Sequence, residues 1–334
     1  MGSLLEIENL NVSFTKKGRH INALNSLNLQ LDSGRILAVV GESGSGKTTL
    51  AMSILGLLDK ENLSGFAGRI LYKGADLTGM SSKEMNKIRG AEISMIFQEP
   101  QYALNPAVSI GRQIEELLTV HKIGSKAGRK KRVYEIMEAV GLPDPPKYYS
   151  FGPSQLSGGM KQRVVIAMAM VCGPSIIIAD EPTTALDVTT QAQILSLLKT
   201  MKAGKSLSII LITHDLGVVA ELADYIAVVY RGNLLEYGNV RDVLKSPCHP
   251  YTLGLIKCIP YADQKQERLY TIPKPESFAL TEGQKGCSFY PRCAMRQQAC
   301  TETSPEMIDT GIGHLTRCPF WENAKLNFGE DIKL

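Results

Sequence analysis

Nine consecutive residues, Gly41 to Thr49, read Gly-Glu-Ser-Gly-Ser-Gly-Lys-Thr-Thr. They follow the apolar, β-prone run Arg35-Ile36-Leu37-Ala38-Val39-Val40 and precede Leu50-Ala51-Met52-Ser53-Ile54-Leu55, a helical pattern. Gly41, Gly46, Lys47 and Thr48 occupy the defining places of G-x-x-x-x-G-K-[ST] in the strand–loop–helix context that gives that pattern meaning. The chemistry is anion binding. Glycines at 41, 44 and 46 let successive N–H groups turn inward, and the following helix adds its positive end. Lys47 supplies a mobile charge for the β and γ phosphates of ATP, and the Thr48 hydroxyl can ligate Mg²⁺. The expected nucleotide contacts are therefore Gly41, Ser43, Gly44, Ser45, Gly46, Lys47, Thr48 and Thr49.

Other residues could complete the reaction. The run Ile176-Ile177-Ile178-Ala179 reads as a strand buried on both faces and delivers Asp180-Glu181-Pro182 at its carboxyl end, where open α/β sheets bind ligands. Asp180 is placed to hold the Mg²⁺ shell, and Glu181 to orient and deprotonate a water. An exposed acidic turn is the rival reading of that motif taken alone. His214, after the strand expected over Leu207 to Thr213, either contacts a γ-phosphate or caps a helix over 216–223. Ser157-Gly158-Gly159 opens a helix through Val171, with Ser157 as its N-cap, and is a second anion-binding end or simply a cap. Phe14 stacks on a base or packs in the core, with nothing in the sequence to choose between them.

Seven cysteines are present, and Cys287, Cys293, Cys300 and Cys318 follow the spacing C-x₅-C-x₆-C-x₁₇-C. That is wider than the C-x₂₋₄-C pairs usual for structural zinc. A four-thiolate iron–sulfur cluster is compatible, with Cys318-Pro319 resembling the Cys-Pro of bacterial clusters. Zinc is the lesser alternative. Cys172, Cys248 and Cys258 read as core or incidental residues.

The elements that must position these residues form an α/β chain. Short β-like runs at Leu4–Ile7, Leu10–Phe14 and Leu27–Leu31 precede the phosphate loop, and Arg69–Tyr72 reads as a further antiparallel strand. Residues 81–89 read as helix and Ile93–Phe97 as strand. From about 100 to 170 the pattern is helical, broken at Pro143, Pro145, Pro146 and Gly152-Pro153, as in an inserted subdomain. A helix over 189–202 closed by Gly204 follows. Tyr225–Tyr230 and Asn233–Tyr237 read as a terminal hairpin. Residues 261–280 read as a linker.

A 334-residue chain with 44% hydrophobic and 21% charged residues is long enough for one large domain and a smaller one. The net charge of +4 is too slight to argue for nucleic acid. The basic cluster Lys126, Arg129, Lys130, Lys131 and Arg132 sits beside Val133, Ile136, Met137 and Val140, so it reads as the solvated end of an amphipathic helix. No apolar run reaches the roughly 18–20 residues of a membrane span, so membrane attachment is expected through partners, on the cytoplasmic side.

With these pieces in order, residues 4 to 260 closely resemble the ATP-binding subunits of ABC transporters. The loop resembles the family's phosphate loop, Leu156-Ser157-Gly158-Gly159-Met160 its signature motif, and Asp180-Glu181 its acidic pair. Gln98 falls where the family couples nucleotide and Mg²⁺ to the helical subdomain, and Asp187 where a loop communicates between sites. The resemblance implies that Glu181 polarises the water and His214 senses the γ-phosphate. His249-Pro250-Tyr251-Thr252 and the tail Gly286–Cys293 with Cys300 and Arg317-Cys318-Pro319 are similar to importers of dipeptides and oligopeptides, with nickel and other small solutes in the wider group. Related subunits carry a [4Fe–4S] cluster on this tail, which implies the same here.

The fold so implied is a P-loop ATPase core of the ABC type over 1–260, with an antiparallel β subdomain and the inserted helical subdomain, and a small cysteine-rich extension over 261–334. The partners implied are a second ATPase subunit (a different chain, or a second copy), two transmembrane permease chains and, indirectly, an extracellular solute-binding protein. Two rival classes are a non-transport ATPase acting on DNA or ribosomes and a redox-sensing nucleotide regulator. The chain shows neither the coiled-coil insert nor the second cassette usual for the first, and a pure sensor needs neither Glu181 nor His214.

Overall fold

A computed structural model describes residues 3–184, 186–202, 207–259, 270–273, 286–311 and 313–326. Residues 4 to 31 form two long strands rather than short runs: Leu5–Lys16 (β1) and Arg19–Leu31 (β2). Asn9 and Ser26 take left-handed backbone angles, φ 47° and 41°, at bulges in the pairing. There the Asn28 and Asn11 side-chain oxygens accept the N–H groups of Asn9 and Ser26, at 2.8 and 2.9 Å. The bulges scramble the apolar alternation without ending the strands.

Ile36–Val40 (β3) feeds the phosphate loop and the helix Lys47–Ile54 (α1). Leu63–Tyr72 (β4) and Ala75–Asp76 (β5) complete a four-stranded antiparallel sheet in the order β2-β1-β4-β5. Ser82–Ile88 (α2) starts at a capping box in which Ser81 and Glu84 satisfy each other's N–H groups. After Ile93–Ile96 (β6) come Pro100–Ala103 (α3), Ile110–Val120 (α4), Lys126–Ala139 (α5), Pro145–Tyr148 (α6) and Gly158–Met170 (α7). They bury Ile114, Leu118, Val133, Met137, Val140 and Val164 completely, so the amphipathic reading of Val133 to Val140 holds.

The chain then runs through Ile176–Asp180 (β7), Val188–Lys202 (α8), Ser208–Thr213 (β8), Leu216–Leu222 (α9), Tyr225–Tyr230 (β9), Asn233–Asn239 (β10), Val240–Lys245 (α10) and Pro250–Lys257 (α11). Gly204, expected to close α8, lies outside the described residues, as do residues 261–269 and 274–280 of the expected linker. Every residue of β3, β7 and β8 is buried, which is why each reads as an unbroken apolar run. β9, β3, β8, β7 and β6 lie parallel, so the loops after β3, β6, β7 and β8 share one edge.

The hairpin β9–β10 is not terminal. Ile308–Asp309 (β11) and Leu315–Thr316 (β12) extend the main sheet to the order β11-β12-β10-β9-β3-β8-β7-β6, before the helix Trp321–Leu326 (α12). The join rests on a buried charge. Glu236, wholly buried in β10, accepts the N–H groups of Cys248 (2.6 Å) and His249 (3.0 Å) and meets His314 Nε2 at 2.6 Å. Burial pulls the His314 pKa down, but the hydrogen bonds with Cys248 and Glu236 and the Glu236 charge outweigh it and raise it to about 9. Removing one partner of such a pair leaves the other uncompensated.

A folded pKa of about 9 against the ordinary 6.5 means that the stabilisation is complete below about pH 6.5 and is lost as pH rises through about 9. Melting temperatures between pH 7 and 10 should therefore fall more for the native chain than for Glu236→Gln, by a few degrees at roughly 2–4 °C per kcal/mol. Parallel curves for the two chains would remove the pair from this role.

Candidate functional site

Two glycines of the loop are required by close approach. Gly41 has φ 155°, and a Cβ there would lie 2.0 Å from the Val229 carbonyl oxygen. At Gly46, φ 103°, it would lie 2.5 Å from the Ala23 carbonyl. The loop is thus wedged against β9 on one side and β2 on the other. Lys47 is only 7% exposed, and its Nζ donates to the carbonyls of Gly41 (2.7 Å) and Glu42 (3.0 Å). Burial lowers its pKa, opposed by the charges of Glu181, Asp180 and Glu42. Ser45 is buried, whereas Ser43, Gly44 and Thr48 are exposed, with Thr49 between the two.

The acidic residues meet this loop from the end of β7. Thr48 Oγ1 donates to Asp180 Oδ2 at 2.9 Å. Burial raises the Asp180 pKa, and the Thr48 hydrogen bond works against it. Glu181 takes φ 46°, a left-handed angle unusual for a glutamate and characteristic of functional sites. Its carboxylate accepts from Gln98 Nε2 (3.2 Å) and Thr184 Oγ1 (2.8 Å) and lies 3.2 Å from His214 Nδ1. Burial pushes the Glu181 pKa up. Hydrogen bonds from Thr184 and His214, and the charges of His214 and Lys47, more than offset that and hold it below the usual value. Loops after four parallel strands therefore supply Lys47, Gln98, Asp180 with Glu181, and His214 to one edge.

His214 is not the helix cap that was its other reading. Asp215 caps α9, accepting the N–H groups of Gly217 (2.8 Å) and Val218 (3.2 Å). Thr184 carried no signal beyond standing three residues after Glu181.

Other expected residues lie apart from this group. Ser157 caps α7, accepting the Met160 N–H at 3.3 Å. Gly158 faces open space, and a Cβ on Gly159 would meet Thr190 at 2.7 Å. Gln162, further along α7, donates to the Pro182 carbonyl at 2.7 Å and so ties this helix to the loop carrying Glu181. Asp187 is exposed and accepts the backbone N–H (2.9 Å) and hydroxyl (2.7 Å) of Thr190; Ala185, two residues before it, lies outside the described residues. Phe14 is half-buried on β1 opposite Ile21, packed against the core.

A second concentration of chemistry lies in the tail. Cys287, Cys293, Cys300 and Cys318 line one cavity of about 200 Å³ together with His249 and Phe289. Burial raises the thiol pKa of Cys287, that of Cys293 to about 11 and that of Cys318 to about 12. His249 Nδ1 accepts the Tyr251 N–H at 3.1 Å, so the proton of the neutral ring is on Nε2. That Nε2 is buried without a partner among the described residues, and so is the Nε of Arg317. Among the described residues one set of three metal-capable side chains lies within 4.8 Å of one another, Glu236, Cys248 and His314, and hydrogen bonds already occupy those atoms. No described helix is long and apolar enough to cross a membrane.

A family model described as ABC transporter matches residues 24–184, and one described as Oligopeptide/dipeptide transporter, C-terminal region, matches residues 235–300. The chain is similar to the dipeptide transport ATP-binding protein DppD of Bacillus subtilis, 45% identical over 320 residues that cover 95% of each chain. It is 42% identical to the oligopeptide transport ATP-binding protein OppD of Escherichia coli over 318 residues, 95% of this chain and 93% of that one. Among solved structures it is similar to a dimeric ATP-binding cassette in a post-hydrolysis state bound to ADP and Pi. The TM-score is 0.63 and the identity 29%, covering 71% of this chain and 99% of that one.

The contacts around the glycines set an order of sensitivity. Gly46→Ala forces a Cβ into backbone atoms and should weaken ATP binding at least about tenfold, whereas Gly44→Ala, with open space around it, carries only the left-handed penalty of about 1–2 kcal/mol. Titration of ATP against both variants checks this; equal losses would discard the steric argument.

Proposed function

Because this chain belongs to the ATP-binding subunits of dipeptide and oligopeptide ABC transporters, we infer that it hydrolyses ATP to power peptide import, with Glu181 acting on the attacking water. The observation that carries the residue roles is the convergence of Gln98, Thr184 and His214 on the Glu181 carboxylate beside Lys47 and the Thr48–Asp180 pair. The inward N–H groups of the loop and the Lys47 ammonium bind the β and γ phosphates. Mg²⁺ suits the oxygens of Thr48, Asp180 and Gln98, and it would neutralise charge building on the β and γ oxygens. Thr48 Oγ1 and Asp180 Oδ2, 2.9 Å apart, are two oxygens of the kind that would hold it.

Glu181 is ionised at neutral pH and, with its lowered pKa, is a weak base. Its main contribution is to orient the water and stabilise the positive charge that develops on it. His214, half held by Glu181 through Nδ1, has no hydrogen-bond partner for Nε2 among the described residues, which suits that nitrogen to a γ-phosphate oxygen. Gln98 contacts Glu181 at the point where the chain enters the helical segment, which fits it to pass γ-phosphate occupancy to the permease chains.

The exposed helix start at Ser157–Gly159, with Asp187 near Thr190, is read as half of a site that covers ATP bound by another ATPase subunit, a different chain or a second copy. Two permease chains and an extracellular binding protein complete the importer, with this subunit peripheral on the cytoplasmic side. Glu181→Gln should keep ATP binding, lower turnover by roughly two or more orders of magnitude, and accumulate an ATP-dependent dimer, alone or with its partner subunit. Near-normal turnover removes Glu181 from its role, and absence of any dimer overturns the shared-site reading.

For the tail we propose a [4Fe–4S] cluster on Cys287, Cys293, Cys300 and Cys318. One orphaned buried donor, His249 Nε2, belongs to a residue that lines the cavity and supports an anionic occupant. The spacing C-x₅-C-x₆-C-x₁₇-C, wider than the pairs usual for structural zinc, favours the cluster over zinc. When bound, such a cluster supplies a cross-link between the cysteines and a one-electron redox couple. Anaerobically purified chain should show absorption near 400 nm and about four iron and four sulfide per chain, lost in Cys318→Ala; zinc without iron would overturn the assignment.

A further inference from the structure

Two side chains from the C-terminal part of the chain reach the phosphate loop and hold the same residue. Arg292, in the turn between Cys287 and Cys293, forms a two-pronged ion pair with Glu42, Nη1 to Oε2 at 2.7 Å and Nη2 to Oε1 at 2.9 Å. Its side chain is 11% exposed, its Nε donates to the Pro273 carbonyl at 2.7 Å, and its guanidinium lies 5.7 Å from the centre of the Tyr230 ring. The pairing with Glu42 is the chief cause of its raised pKa. Tyr251, fully buried at the start of α11, accepts the backbone N–H of Glu42 through its hydroxyl at 2.9 Å. The Glu42 carbonyl in turn accepts from Lys47 Nζ.

Glu42 is the second residue of the loop, so its main chain and its carboxylate are both fixed from outside the segment that folds the cradle. Planar fork-to-fork pairs are the geometrically specific kind of ion pair, and a guanidinium already anchored at Nε and over a ring loses little freedom in making one. Solvent-exposed pairs are worth little, but here the arginine is withdrawn from water and its partner is one residue from a backbone that must accept phosphate. Tyr230 and Tyr251 are themselves packed on Phe289, the residue two after Cys287, so the contact is continuous with the tail's own core.

We propose that Arg292 and Tyr251 are positioning residues for nucleotide binding. The C-terminal extension sets the conformation of the phosphate loop through Glu42, and by linkage bound ATP tightens the docking of the extension. This rests on the reading of Gly41 to Thr49 as the nucleotide site.

The test uses the full chain and Mg·ATP, with binding titration and steady-state kinetics. Arg292→Ala and Glu42→Gln should each weaken ATP binding by about 5- to 20-fold, within the usual range of coupling between sites, with a smaller fall in kcat at saturating ATP. The double variant should be no worse than the weaker binder of the two, because both remove one contact. Arg292→Lys should recover part of the affinity. Tyr251→Phe, which keeps the ring and its packing, should weaken binding several-fold and decides the matter if Arg292→Ala does not fold. In the native chain, saturating ATP should slow amide exchange over residues 286–293 by a similar factor. ATP affinity within twofold of the native chain in both Arg292→Ala and Tyr251→Phe would overturn the proposal. Failure of the native chain to bind Mg·ATP at all would overturn the nucleotide-site reading itself, and this proposal with it.

Discussion

A phosphate cradle must keep a positive charge out of water without giving it a permanent anionic partner, because a partner would occupy the ligand's place. Lys47 meets that demand here. Its ammonium is almost wholly buried, yet it rests on two neutral carbonyls of its own loop, and the nearest negative charges, on Glu181, Asp180 and Glu42, act on it from a distance. Burial lowers the pKa of a lysine so placed. The surrounding carboxylates work against that, and each is in turn held by something else. Asp180 is bonded to Thr48, Glu181 to Gln98, Thr184 and His214, and Glu42 to Arg292.

That arrangement explains why so much of the chain is needed for so small a site. Parallel strands buried on both faces can only be apolar, so charged groups collect in the loops at their carboxyl ends. The order of strands in the sheet decides which loops become neighbours: β3 lies beside β8, and β8 beside β7, which brings Lys47, His214 and Glu181 together although the chain separates them widely. The far side of the loop is supported by β9 and by the tail. The tail is attached to the sheet through the Glu236–His314 pair rather than through an apolar face alone. The phosphate loop therefore has catalytic residues on one flank and a structural brace on the other.

The residues of the cradle and its acidic pair are legible in the sequence because local patterns carry them: a glycine-rich turn between a strand and a helix, and a carboxylate pair after an unbroken apolar strand. The helical segment is legible for the same reason, through the spacing of Val133, Met137 and Val140. The long hairpin β1–β2 is not, since at Asn9 and Ser26 side-chain amides replace ladder hydrogen bonds and the alternation slips. Glu236 lies in a segment that reads only as half of a hairpin, and the arrival of His314 and two backbone N–H groups makes its burial tolerable. β12, two residues long, has no periodicity to detect. Arg292 pairs with Glu42 across most of the chain, and no local rule connects them. Asp215 rather than His214 caps α9, as the cap preferences of the two side chains favour.

The pairing of β10 with β12 also bears on the order in which the polypeptide acquires its shape. During synthesis the segment 233–239 leaves the ribosome well before 315–316, and chains grow at roughly 5–20 residues per second. For several seconds the outer edge of the main sheet is a bare strand with the acidic side chain of Glu236 along it, which discourages the edge from joining a neighbouring nascent chain. Once residue 314 emerges, the same carboxylate changes from a guard into an anchor, and the edge closes on its own chain rather than on another.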